Sequence, residues 1–121
     1  MATGTVTITE ETFDIIKKIS FAWTSTSSGA AGDTTTNHYN GECVRLVTVP
    51  DGSDAPTDNY DVVINDEDST DVLMGAGANR DTTNTEQVLA SSLGVVANDQ
   101  LTLAVTSAGN EKAGTVHLYI R

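Results

Sequence analysis

A period-two alternation of apolar and polar residues, which recurs along the chain, is the feature that most constrains its fold. Val6 and Ile8 alternate with threonines, and residues 18–24 alternate bulky apolar with small or polar side chains. Successive side chains of a strand point to opposite faces, so this period indicates half-buried β-strands. The other predicted strands lie at 44–49, 60–65, 101–106 and 115–120, with two weaker ones at 72–74 and 87–89.

The strands are separated by turn residues, without the helical stretches of a βαβ fold. The sequence therefore predicts an all-β protein, a single-domain antiparallel β-sandwich or jelly-roll-like barrel of about eight strands. A chain of 121 residues has room for one core. The side chains predicted to form this core are Ile19, Phe21, Trp23, Leu46, Val62, Ile64, Leu101, Leu103, Val105, Val116, Leu118 and Ile120.

The N-terminal part leaves two alternatives open. Residues 10–18 combine the apolar spacing of a short helix with the parity of a strand, and the strand is favoured. Residues 1–12 are predicted to be an N-terminal arm or an edge strand, with the sandwich domain at 13–121. As an arm, this segment adds a strand to a neighbouring subunit, with Val6 and Ile8 as interface residues.

Turn chemistry predicts the connections. Asn40-Gly41 is typical of a tight hairpin, 51–56 of a loop, and 65–70 of a turn between two strands. Residues 107–110 are expected to open the last hairpin. Residues 25–36, which are small and polar, are predicted to be a mobile loop or a segment that becomes ordered against a partner.

Charge excludes several classes of partner. Seventeen acidic and six basic residues give a net charge of −11, which argues against binding to nucleic acid or to anionic lipid. No stretch approaches the roughly 18 apolar residues of a membrane span. The single cysteine, Cys43, allows no internal disulfide and favours synthesis in a reducing compartment. Cys43 itself is expected to be a semi-buried strand residue.

An acidic cluster is the strongest candidate for a metal site. Asp66, Glu67, Asp68 and Asp71 bring together carboxylates, which are the ligands of Ca²⁺. An EF-hand register beginning at Asp66 fails, because Asp71 occupies the position of the required glycine. The preferred interpretation is a solvated turn, with a weak cation site at Asp66, Asp68 and Asp71 as the alternative.

The remaining motifs predict no cofactor and no catalysis. The glycines of 75–80 lack the lysine of a phosphate-binding loop and are expected to allow a tight bend. His38 and His117 are far apart in sequence, and His117 is expected to be exposed. No nucleophile is paired with a base, so the chain is predicted not to be an enzyme.

The aromatic residues suggest one further alternative. Tyr39, Tyr60 and Tyr119 are expected to be exposed, where together with Trp23 they can form a stacking platform for sugars. This supply of rings is small for such a platform. Trp23 shares the parity of Ile19 and Phe21, which favours a place in the core.

Four blocks of sequence resemble the small virion-associated structural proteins of tailed bacteriophages. This resemblance covers most of the chain from Ile19 onward. The blocks are 19–25, 55–62 with its continuation through 66–68 and 71–73, 75–80, and 101–121 with its Ala108-Gly109-Asn110 turn.

The resemblance implies a non-enzymatic function in the virion. The expected function is that of a capsid decoration (cement) protein, a homo-oligomer on the outer surface of the head. Its expected partner is the major capsid protein or another virion protein, and its negative charge is expected to keep the free subunit soluble and to steer it to positive patches on the shell. A tail or neck component, or a carbohydrate- or Ca²⁺-dependent binding module, is the alternative.

Overall fold

The computed structural model describes residues 4–121, and these residues form two antiparallel sheets and one 3₁₀ turn at Ala90–Ser92. The all-β sandwich expected from the sequence is confirmed. Its nine strands are β1 (Thr5–Phe13), β2 (Ile16–Thr24), β3 (Ala31–Thr34), β4 (Tyr39–Pro50), β5 (Asp61–Asn65), β6 (Glu86–Leu89), β7 (Val95–Asp99), β8 (Thr102–Thr106) and β9 (Ala113–Ile120).

The large sheet has the strand order β1-β2-β9-β4-β6, and the small sheet has the order β3-β8-β5. The long strand β4 pairs with β9 along one side. Along its other side it pairs first with β7 and then with β6. Strand β1 is therefore one edge of the large sheet, and β3 and β5 are the edges of the small one.

The core lies between the two sheets, where the alternation predicted it. Each of the twelve residues predicted from parity is buried, with 2% or less of its surface exposed. Leu103 on β8 and Leu118 on β9, for example, have no exposed surface. Parity was sufficient here because a half-buried strand has only one apolar face to bury.

Residues 10–18 form a β-hairpin, so the strand interpretation of this segment is confirmed and the helix is not formed. Strands β1 and β2 pair without interruption from Thr5↔Thr24 to Phe13↔Ile16, and Asp14–Ile15 form the two-residue turn. Asp14 has a φ of 57°, which such hairpin turns require. For residues 1–12 the structure shows an edge strand from Thr5 onward, while residues 1–3 lie outside the described residues.

Two predicted hairpin turns are wrong. Asn40-Gly41 lies inside β4, because Glu42 and Arg121 exchange two backbone hydrogen bonds of 2.9 Å that continue the pairing with β9. Gly41 has a φ of 131°, next to a shift in the β4–β7 register. The turn at 107–110 joins the two sheets instead of forming a hairpin, since β8 belongs to the small sheet and β9 to the large one.

The sequence also missed two strands and predicted one that does not form. Strand β3 lies within the segment 25–36 that was predicted to be a loop, and β7 had no predicted counterpart. Residues 72–74 form consecutive turns, although Val72 and Leu73 are buried as a strand would require. Within residues 4–121, no helix has the length and apolarity needed to cross a membrane.

Candidate functional site

Two carboxylates of the acidic turn have different partners: Glu67 accepts a hydrogen bond from the backbone N–H of Gln100 at 2.8 Å and lies 3.3 Å from His38 Nε2, whereas Asp66 is directed at its own turn. Asp66 Oδ1 accepts hydrogen bonds from the backbone N–H groups of Asp68 at 2.9 Å and Thr70 at 3.0 Å. This is the Asx geometry by which aspartate stabilises a turn. Across residues 4–121, no three His, Cys, Asp or Glu side chains converge in a way that can hold a metal ion. Asp66 therefore serves as the hydrogen-bond acceptor of its own turn.

Asp71, the third candidate ligand, fixes the start of a segment that covers β5. Its two carboxylate oxygens accept backbone hydrogen bonds from Ile64, Leu73 and Gly75 at 2.9 to 3.2 Å. Residues 71–80, which we call the cover segment, then run beside β5. The carboxylate of Asp71 is therefore engaged in holding this segment against the small sheet.

The glycines of the cover segment allow close approach to β5. The N–H of Val62 donates to the carbonyl of Gly77 at 2.8 Å, and the N–H of Arg80 donates to the carbonyl of Tyr60 at 2.7 Å. A Cβ atom on Gly77 would collide with the carbonyl oxygen of Val62. The tight bend expected of these glycines thus takes the form of a backbone packed against a strand edge.

The histidines and the cysteine occupy three different environments, and that of His38 is the surface, where its half-exposed side chain lies 3.3 Å from a carboxylate oxygen of Glu67. Cys43 faces the core with no exposed surface, and burial together with the Glu42 carboxylate raises the pKa of its thiol to about 11. His117 lies on the outer face of the large sheet, half-buried, and shares a 2.8 Å hydrogen bond with Ser20. Burial, followed by the charges of Lys18 and Arg45, lowers the pKa of His117.

Three of the four rings considered as a sugar platform are inside the protein. Trp23 and Tyr60 pack in the core with ring centroids 5.6 Å apart, and Tyr39 is 5% exposed. Tyr39 donates its hydroxyl proton to Glu10 at 2.7 Å. The core position predicted for Trp23 is confirmed, and the exposure expected of Tyr39 and Tyr60 is wrong. Tyr119 remains as the one partly exposed ring of the set.

Tyr119 is the centre of a row that the sequence did not indicate. The register places Lys18 on β2 and Arg45 on β4 directly opposite Tyr119 on β9, one on each side. The Lys18 ammonium lies 5.7 Å and the Arg45 guanidinium 5.1 Å from the centroid of the ring, distances at which cation–π attraction operates. We call these three residues the cation–aromatic row.

The two cations of this row form no ion pair within the described residues, although Glu11 on β1 lies opposite Lys18 in the register. Among residues 4–121, the ion pairs within 4.0 Å are His38–Glu67 and Arg80–Glu86. Arg45 instead donates through Nε to Gln87 Oε1 at 3.0 Å. Among the described residues, Arg80 is the only lysine or arginine that forms such a pair, so the row is distinguished by its cation–π contacts rather than by the lack of an ion pair.

Apolar surface extends the row towards one edge of the sheet. Leu89 on β6 lies opposite Arg45 and is 66% exposed. The sequence could not predict this arrangement, because its members lie on four strands far apart in the chain. The signal available was parity alone, which puts Lys18 and Tyr119 on the outward face of their strands without saying that they meet.

Besides its pairing with β2, strand β1 is linked by one carboxylate to the segment 36–39 that leads into β4. Glu10 accepts hydrogen bonds from the backbone N–H groups of Thr36 and Asn37, each at 3.0 Å, as well as from Tyr39. Burial raises the pKa of Glu10, but the hydrogen bonds from Tyr39 and from the two N–H groups outweigh it and lower the pKa overall. The strand is thereby fixed near its middle.

The predicted interface residues Val6 and Ile8 point inward from β1. Both side chains are half-buried and pack against the core. A neighbouring molecule that approaches β1 along its free side therefore meets the backbone of the strand rather than these two side chains. The apolar residues that are exposed here lie at the end of the hairpin, where Phe13 is 56% and Ile15 60% exposed.

Comparison of the chain with protein-family models, with curated proteins and with solved structures finds no match.

Proposed function

We propose that this chain is a non-enzymatic structural protein of a tailed bacteriophage particle, a decoration protein that binds the outer surface of the head. The observation that carries this proposal is the outer face of the large sheet, with the cation–aromatic row at its centre. The proposed partner is the major capsid protein, and the proposed location is the virion, assembled in the host cytoplasm.

The shape of this face favours a protein partner. Strands β1, β2, β9, β4 and β6 lie side by side and present one continuous surface. Tyr and Arg, which form two of the three members of the row, are enriched at the centres of protein interfaces. A broad sheet face of this kind suits contact with another protein surface better than enclosure of a small molecule.

The charges of the row indicate what the partner presents. Lys18 and Arg45, without a carboxylate within 4.0 Å among the described residues, attract acidic side chains from another molecule. Partner carboxylates there gain hydrogen bonds to the guanidinium, and the flanking Leu89 supplies apolar contact area. The remaining surface, which carries the excess of negative charge, keeps the free protein soluble.

The sequence blocks that resemble virion proteins supply the class of particle. Block 19–25 contains most of β2, and block 101–121 contains β8 and β9, so these blocks include the strand that carries Tyr119. Lys18 immediately precedes the first block. The resemblance and the proposed surface therefore overlap at β2 and β9, while Arg45 and Leu89 lie outside the blocks.

The experiment is a binding assay on heads assembled without this protein. Purified chain is mixed with such heads, and bound protein is measured by co-sedimentation over a concentration series. We expect Arg45→Glu to weaken binding by at least about thirtyfold, as loss of an interface hot spot does. Lys112→Glu, which makes the same charge change outside the row, is the matched control and is expected to bind like the parent.

Cryo-electron microscopy of decorated particles then locates the protein. Density on the outer head surface with β2, β9 and β4 against the capsid supports the proposal. Density at the tail or neck, or undiminished binding by folded Arg45→Glu, contradicts it. Saturable binding of the free chain to a glycan array or to Ca²⁺ would favour the binding-module alternative instead.

A further inference from the structure

We propose that two copies of this chain associate through β1, which pairs antiparallel with β1 of the second copy and joins the two large sheets into one. This inference concerns the edge of the sheet rather than its outer face. It therefore stands independently of head binding.

The free side of β1 carries a regular series of unpaired backbone groups. In a two-residue hairpin the closing pair, here Phe13 and Ile16, exchanges backbone hydrogen bonds, and such pairs then recur at every second residue. The odd-numbered residues of β1 thus bond to β2, and the even-numbered residues direct their N–H and C=O groups away from it. Among residues 4–121, the backbones of Val6, Ile8, Glu10 and Thr12 have no hydrogen-bond partner on that side.

Strand β1 lacks most of the features that protect an edge from pairing. Soluble proteins block edges with proline, charged side chains, a bulge, short length or a covering segment, and of these β1 has only the charges of Glu10 and Glu11. The nine residues of β1 contain neither proline nor lysine, and their register with β2 has no irregularity. By contrast, the edge strands β3 and β6 have four residues each, and β5 is covered by residues 71–80.

The two glutamates of β1 determine which self-pairing registers are acceptable. A twofold axis at Glu10 or Glu11 would place that carboxylate opposite its own copy, which is unfavourable. An axis at Thr9 gives full overlap of all nine residues. In this register Glu11 faces the partner's Thr7, and Glu10 faces the partner's Ile8. The even-numbered residues, whose backbone N–H and C=O groups point away from β2, then lie opposite one another, as an antiparallel ladder requires.

The same register covers exposed apolar surface at both ends of the strand. It brings the hairpin tip, with Phe13 and Ile15 more than half exposed, alongside the partner's Gly4 and Thr5. A shallow groove of about 310 Å³ begins at Gly4 and is lined mainly by small and apolar residues of β3 and β8, among them Ala31, Gly32 and Ala104. Because the pairing is symmetric, each tip reaches the groove of the other copy, and both contacts form at once.

The first test measures the oligomeric state of the full chain by sedimentation velocity over a concentration series. We expect a reversible equilibrium between monomer and dimer. Thr9→Lys places two like charges opposite each other at the axis and is expected to weaken the dimer by about tenfold. Thr7→Lys makes the same charge change on the same exposed face, but it places the new ammonium opposite the partner's Glu11 and is expected to strengthen the dimer.

The second test is covalent trapping, which reports the register directly. At the axis the two copies of residue 9 form a non-hydrogen-bonded pair with Cα atoms about 4.5 Å apart, a separation that a disulfide can bridge. Mild oxidation is expected to cross-link Thr9→Cys, whereas Thr5→Cys, which faces the partner's Phe13, is expected to remain uncrosslinked. The native Cys43 is buried and does not compete.

Each outcome of these two tests either supports or overturns the β1 dimer. Opposite effects of the two lysine substitutions, together with selective trapping of Thr9→Cys, support the proposal. A chain that stays monomeric at the highest concentrations, lysine substitutions that act in the same direction, or equal trapping of both cysteine variants overturns it. Head binding by a strictly monomeric chain would leave the proposed function in place and remove only the β1 dimer.

Discussion

The edges at β5 and β1 differ in what lies beyond them. Beyond β5, the chain folds back residues 71–80 and supplies backbone partners, of which the Val62 to Gly77 hydrogen bond of 2.8 Å is one. Beyond β1, no strand of the described residues pairs with its free side: β3 lies close by without backbone hydrogen bonds to it, and the carboxylate of Glu10 reaches across to residues 36–39. One edge is closed within the molecule, and the other is left with its ladder groups unpaired.

The difference lies in a segment of the chain that covers β5 and has no equivalent beside β1 among the described residues. Closing β5 requires a glycine that can approach a carbonyl, at Gly77, and a carboxylate that gathers three N–H groups, at Asp71. At β1 the carboxylate of Glu10 gathers two N–H groups and a hydroxyl, but no described segment brings backbone partners to the free side of the strand. An edge left open in this way is typical of strands that pair with another chain.

The largest effect on stability is expected from filling the space between Gly77 and β5. Gly77→Ala forces a Cβ atom against the carbonyl oxygen of Val62, so the cover segment must move away from β5. We expect a loss of about 3 kcal/mol in the free energy of unfolding, measured by urea denaturation. Gly52→Ala is the control, because nothing lies within 4 Å of a Cβ atom there, and its unfolding free energy should be almost unchanged. Equal stability of the two variants would contradict the close packing described for β5.

A smaller effect is expected from the carboxylate that holds the cover segment. Asp71→Ala leaves the N–H groups of Ile64, Leu73 and Gly75 without their acceptor. Removing these charge-assisted bonds is expected to cost about 2 kcal/mol. Asp68→Ala, a neighbouring exposed carboxylate, should change stability by less than about 0.5 kcal/mol. If thermal melts of the two variants coincide, Asp71 does not hold the segment.

The smallest of these stability effects is expected at the open edge. Glu10→Gln weakens the acceptor for Thr36, Asn37 and Tyr39, and because the carboxyl is partly solvated we expect a loss of about 1 kcal/mol at neutral pH. The pKa of Glu10 is lowered from 4.5 in the folded chain. Its contribution is therefore complete above about pH 4.5 and disappears as the pH falls through the folded pKa.

The pH dependence provides the check on Glu10. The stability difference between the parent and Glu10→Gln should be constant at neutral pH and should shrink as the solution is acidified below pH 4.5. Glu11→Gln, on the exposed side of the same strand, serves as the control. A difference that grows on acidification would mean that the carboxylate form of Glu10 does not stabilise β1.

Parity allowed the core to be predicted, but pairing partners could not be predicted from parity. Phe21 and Val116 are apolar at alternate positions of their strands, and this sufficed to place them inside. Strand β3 was missed because Gly32 and Asp33 carry no strand signal and are held by pairing with β8. Asn40-Gly41 has the local chemistry of a hairpin, but pairing with distant residues keeps it extended within β4.

The cover segment and the cation–aromatic row also depend on pairing between distant strands, which the sequence does not show. Residues 72–74 have the apolar character of a strand, yet Asp71 draws nearby N–H groups into turns, which depends on how β5 is placed. The cation–aromatic row requires the registers of β2, β9 and β4 together, and no local pattern encodes a register across separate strands. The sequence shows the chemistry of each residue, but it does not show which residues of other strands lie beside it.

The most direct test of an edge left open for a partner is amide hydrogen exchange resolved by residue. In dilute solution, the amides of Val6, Ile8, Glu10 and Thr12 should exchange rapidly, while the amide of Val62, bonded to Gly77, should exchange slowly. As the protein concentration rises, the four β1 amides should become protected and Val62 should not change. Protection of the β1 amides in dilute monomer, or rapid exchange of Val62 at all concentrations, would contradict the difference between the two edges.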